Sequence, residues 1–206
     1  MKVHSILAAT AVAGLAASVA LGNEPKSYEQ VFDEPLPWND SGADGPGINR
    51  FEIFVPDSGI IKDVKELFLD IEHTWVGDLR ITLTHKDSGT TALLLDRPGV
   101  PDSTFGNSDD LAGLYTFIDG GDVFPETTQP DGSGLVPNGA YSGVDSLSVF
   151  EGLNKFGTWS LVIEDNAGGD TGALFAWGFT VNNIPAPGAL ALLGVAGLAG
   201  TRRRRG

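Results

Sequence analysis

From Phe51 onward, short apolar stretches alternate with clusters of turn residues: FEIFV, VKELFLDIEH, LRITLTH, TALLL, GTWSLVIED and ALFAWGFTV. In LRITLTH, Leu79, Ile81 and Leu83 alternate with Arg80, Thr82 and Thr84. A period of two puts one face of a strand against a core and the other in water. The same period groups Leu67, Leu69 and Ile71, then Trp159, Leu161 and Ile163, then Phe175, Trp177, Phe179 and Val181. No stretch carries a long helical stripe, and turn residues punctuate the chain at short intervals. The pattern predicts an all-β sandwich.

Two regions lack a sustained period. Residues 23–50 are rich in Pro, Gly, Asp and Glu and read as an exposed, extended lead-in on which Phe32 and Trp38 can still dock. Residues 100–143, with PDSTFGNSDDL, FIDGGDVFPETTQPDGSG and LVPNGAYSG, read as a long loop region. Length and composition of that kind point to ligand binding or local disorder.

Both ends differ from the body. Lys2, the apolar run Ile6 to Leu21 and the small-residue site Ala20-Leu21-Gly22 have the order of a removable secretory signal, residues 1–22; an N-terminal membrane helix is the alternative. Cysteine is absent, so an exported domain must rely on core packing or bound metal.

Charge narrows the function classes. The net charge is −14, and the body between the terminal segments holds eight basic residues against 27 acidic ones, a balance of −19. Such a surface repels a phosphate backbone, which excludes a nucleic-acid partner.

The stretch HTWVGDLRITL at 73–83, then SGTTALLL, then SLSVFEGLNKFGTWSLVIEDNAGGDTGALFAWGFTV at 146–181, resembles the proprotein convertase P domain, or P/Homo B module. The shared features are the His-Thr-aromatic opening, the Gly-Asp-Leu turn into a strand, the Gly-Thr hairpin and the closing Gly-Thr-Trp strand with its Asp- and Gly-rich turn. THKDSGTT at 84–91 departs from the family's proline turn, though Asp87-Ser88-Gly89 still supplies a turn. The resemblance implies a jelly-roll-like β-sandwich over 51–183 that, in its usual setting, follows a subtilisin-like protease domain and supports its folding. The roughly 28 residues between the signal and Phe51 are too few for a catalytic domain, so the module is expected to stand alone.

Catalysis finds little support in the residues. Beyond the signal the chain has His73 and His85 and no thiol, and a hydrolase needs a nucleophile beside a base. Asp57-Ser58-Gly59 and Asp87-Ser88-Gly89 read as turns. A glycosidase would need two carboxylates at a set separation, which sequence does not reveal. Calcium is the better candidate, because a hard cation seeks several oxygens from Asp side chains and loop carbonyls. Asp78 in VGDL, Asp119 and Asp122 in IDGGD, and Asp165 and Asp170 in EDNAGGD are the candidate ligands; the alternative is that they cap turns and solvate loops. Trp159 and Trp177 read as core, and Trp75 as core or a sugar-stacking platform.

The tail, residues 184–206, resembles a PEP-CTERM sorting signal: Pro185-Ala186-Pro187, an apolar run, then Arg202, Arg203, Arg204 and Arg205. Ala186 stands where the family has Glu. Gly188 to Gly200 spans 13 residues, about 20 Å as a helix against a hydrocarbon core of about 30 Å. That length suits transient inner-membrane retention, with the arginines cytoplasmic. The resemblance implies processing by an exosortase-type enzyme and release to the cell surface or exterior.

These readings lead to a non-enzymatic, exported module of the cell surface or exopolysaccharide matrix, binding or structural in role. Alternatives are a partner that stabilises a secreted subtilisin-like protease in trans, and a glycosidase.

Overall fold

Strands whose apolar residues fall on one face must bury that face against another layer, and here they do so as two sheets. The computed structural model describes residues 24–42 and 45–184; the expected signal at 1–22 and the sorting residues Pro185 to Arg205 lie outside them. The described strands are β1 (Lys26–Pro37), β2 (Gly47–Val55), β3 (Ile61–His73), β4 (Leu79–His85), β5 (Thr90–Asp96), β6 (Leu111–Asp122), β7 (Gly139–Tyr141), β8 (Gly157–Asp165) and β9 (Gly172–Asn183). Short 3-10 turns lie at Val76–Asp78 and Leu147–Phe150. One sheet has the order β1-β9-β3-β6-β7 and the other β2-β8-β4-β5. Only the β6–β7 pair is parallel among those described. No helix among the described residues is long and apolar enough to cross a membrane.

The inner faces meet in one core. Leu67, Leu69 and Ile71 of β3, Leu79, Ile81 and Leu83 of β4, and Trp159, Leu161 and Ile163 of β8 are buried, as their alternation predicts. Trp159 packs on Phe150 and Phe179 at centroid distances of 5.0 and 4.6 Å. Its indole N–H donates to the Lys155 carbonyl at 3.0 Å, so the ring is buried without stranding its polar atom. Trp177 is likewise fully buried and donates to Gln30 Oε1 at 3.2 Å.

In β9 the alternation changes phase. Asp70 pairs with Ala176 and Ile71 with Leu174, so Phe175 is the extra residue of a bulge. Leu174 is therefore buried and Phe175 only half-buried, against the expected grouping. A bulge inserts one residue and flips every side chain beyond it.

The lead-in is part of the sandwich, not an appendage. Residues 26–37 form β1, which pairs with β9 from Lys26↔Val181 to Pro37↔Ala173. As an edge strand it buries only Tyr28, with Phe32 set against Phe51 at 5.9 Å, so a polar composition suffices. Within the region read as a long loop, β6 packs Leu111, Tyr115 and Phe117 into the core.

Candidate functional site

β3 and β8 end, and β4 and β9 begin, at one pole of the sandwich. Their connections meet there with the segment that follows β5. Trp75 enters the 3-10 turn at φ 84°, a region that bulky residues rarely occupy. Its main-chain N–H donates to Asp110 Oδ1 at 3.2 Å and its indole N–H to the Phe105 carbonyl at 2.6 Å. Val76 and Gly77 donate to the carbonyls of Asp109 and Asn107, each at 2.8 Å. This approach requires glycine at 77: a Cβ there would lie 2.6 Å from Asn107 N and 2.7 Å from the Phe105 carbonyl. The segment carrying Phe105 is thereby clamped to the turn carrying Trp75 and Asp78.

Three sequence-predicted acids gather behind that clamp. Asp165, the last residue of β8, is buried, with Oδ2 3.2 Å from Nε2 of the buried His73. Asp170 accepts the Thr74 hydroxyl at 3.3 Å. Asp78 is only 2% exposed. Its main-chain carbonyl is anchored by the Asn166 N–H at 2.9 Å and side-chain amide at 3.0 Å. Its carboxyl accepts no hydrogen bond from an N–H or hydroxyl among the described residues, and Arg97 approaches only to 3.8 Å. Burial, a hydrogen bond shared with Asp170, and the charges of Asp165 and Asp170 push the Asp78 carboxyl up to about 6, with Arg97 opposing. Removing a carboxylate from water and setting it beside like charges both disfavour its ionised form.

Asp78 and Asp170 line a pocket of about 300 Å³ whose other walls are Trp75, Phe105, Ala167 and Gly168. Phe105 is 67% exposed. The pocket is therefore lined by two carboxylic acids and two aromatic residues. Sequence reasoning missed Phe105 and Arg97; a lone aromatic among turn residues, and the single basic residue between Lys86 and Lys155, were the available signals.

Asp119 and Asp122 stand apart from this cluster. Asp119 caps the 3-10 turn at Leu147–Phe150, accepting Leu147 N–H at 2.7 Å, Ser148 N–H at 3.1 Å and the Ser146 hydroxyl at 2.8 Å. Asp122 closes β6 beside Tyr141, whose hydroxyl is pushed up by burial and by that carboxylate. Among the described residues no three carboxylates or imidazoles converge as a metal ligand set.

His85 is buried between Ser88 Oγ at 2.9 Å and the Phe156 carbonyl at 3.0 Å, against the Trp159 ring. Asp87 of the hairpin accepts the Thr158 N–H at 2.9 Å, and Asp57 pairs with Lys26. These contacts tie loops to strands.

No family model matches the chain. A calcium-dependent protease of Trichormus variabilis is 28% identical over 129 residues, which are 62% of this chain and 15% of that protein. Among solved structures, the serine protease of Aeromonas sobria in complex with its chaperone ORF2 matches 78% of this chain and 28% of its own at 14% identity and a TM-score of 0.40. The crystal structure of that serine protease alone matches the same shares at 16% identity and a TM-score of 0.41.

Proposed function

We propose that this chain is an exported, non-catalytic module that docks on a secreted protease and stabilises it. The carrying observation is the 129-residue similarity to a calcium-dependent protease, of which it spans 15%. A match confined to so small a share of a protease fits an accessory module better than a catalytic domain. The two-sheet architecture and the HTWVGDL and GTWSLVIEDNAGGDTG motifs support a jelly-roll-like P domain as its identity. Both histidines beyond the signal are buried, His73 against Asp165 at the end of β8 and His85 against the Phe156 carbonyl, which agrees with a structural role.

Export and sorting belong to the same reading, supported by the signal-like residues 1–22 and by Pro185-Ala186-Pro187 with Arg202 to Arg205. An exosortase-type enzyme would release the module to the cell surface. Calcium is the ion in the relative's name, and among the described residues no three side-chain ligands converge for it.

The test is co-expression of the full chain with a secreted subtilisin-like protease, followed by size-exclusion chromatography. Co-elution at a fixed stoichiometry is expected. Separate elution with protease yield unchanged by the module would contradict the proposal.

A further inference from the structure

We infer that the pocket between Trp75 and Phe105 receives an arginine side chain of a partner protein, its guanidinium against the Asp78 and Asp170 carboxylates and its plane against the rings. The floor asks for a donor: Asp78 is almost wholly buried, faces the cavity, and receives no hydrogen bond from an N–H or hydroxyl among the described residues. Arg97 meets that need only in part: its Nε donates to the Gly77 carbonyl at 3.3 Å, and its guanidinium forms an ion pair with Asp78 at 3.8 Å without a hydrogen bond.

The walls select among cations. Among the described residues no three carboxylates or imidazoles converge there as a metal ligand set. A guanidinium is planar, presents a fork of N–H donors to carboxylates, and stacks on aromatic faces. Lysine offers the charge without the plane. At about 300 Å³ the pocket accommodates one side chain, the low end of small-ligand sites. The indole hydrogen bond to the Phe105 carbonyl and the close passage at Gly77 hold the Trp75 wall and the main chain that carries Phe105 in place, which lowers the ordering that binding must supply. Charge complementarity favours the same occupant, because the body carries 27 acidic residues against eight basic ones.

The inference rests on the docking reading for the source of the arginine, not for the pocket. Its test uses the full chain labelled with nitrogen-15 at its four tryptophans, with the Trp75 and Trp159 indole resonances assigned by substitution. Titration with N-acetyl-arginine amide should shift the Trp75 indole resonance saturably and leave that of Trp159 unmoved, whereas uncharged N-acetyl-norleucine amide should not shift it. Asp170→Asn should weaken the response roughly tenfold, as loss of a charge-assisted contact does. Phe105→Ala, which keeps the main-chain carbonyl holding Trp75, should weaken it as well. An unmoved Trp75 resonance, an equal response to norleucine amide, a response untouched by Asp170→Asn, or saturation by calcium chloride in place of the arginine probe would each overturn the inference. Arginine binding in a chain that fails to co-elute with protease would uphold the pocket and remove the protease as its partner.

Discussion

Replacing Asp78 with asparagine removes a charge and keeps the shape, and the new amide can donate to Asp170 as the protonated acid does. Folding raises the Asp78 carboxyl from 3.8 to about 6. The folded chain therefore binds more protons than the unfolded one between about pH 4 and 6. This group's stabilisation is full below that window, declines as pH rises through it and stays lost above. That rise corresponds to about 3 kcal/mol in a dry site, and the open mouth of the pocket screens this to about 1–2 kcal/mol. Asp165 of β8, Asp170 of the β8–β9 turn, His73 of β3 and Arg97 after β5 face the same spot and are present in both proteins, so the difference reports Asp78 together with its coupling to them. Urea unfolding of the full chain and of Asp78→Asn at stepped pH is the assay. The variant should be the more stable by about 1–2 kcal/mol at pH 8, with the gap closing toward pH 4. A variant less stable at pH 8, or a gap independent of pH, would refute the reasoning, because the buried carboxylate would then be satisfied in its charged form.

Further outcomes follow from other positions. Gly77→Ala forces apart the turn and the segment carrying Phe105, and should cost about 1–3 kcal/mol in calorimetry while displacing the Trp75 indole resonance. Asp119→Ala removes three hydrogen bonds at a turn on the far half of β6. It should cost about 1–2 kcal/mol and leave the arginine response intact. Trp159→Ala, at the centre of the aromatic core, should cost about 3–5 kcal/mol by urea midpoint. Calcium and magnesium should shift the thermal midpoint equally; a calcium-specific rise that grows with concentration would make the acids a metal site.

Much of the sandwich was legible because its central strands bury one face. β3, β4 and β8 announce themselves through Leu67, Leu79 and Trp159 and the partners that alternate with them. β1 was not, since an edge strand burying only Tyr28 carries almost no apolar signal. Glycine broke the pattern of β6: Gly113 sits at φ 117° between Leu111 and Tyr115, inside a stretch dense in turn residues. The bulge at Phe175 is a property of pairing with β3, which no local period reveals. At the site, Asp78, Asp165 and Asp170 were recognisable as acids in turns, but their gathering depends on β4 lying beside β8. Asp119 has its partners 27 to 29 residues away, so its capping role was invisible locally.

The central claim is that the module holds a secreted protease in its folded state. Its most direct test is the thermal inactivation half-life of a secreted subtilisin-like protease, measured alone, with an equimolar amount of the full chain, and with the Asp170→Asn variant. The account predicts a longer half-life with the full chain and a smaller gain with the variant. An unchanged half-life at concentrations that saturate any complex would contradict it.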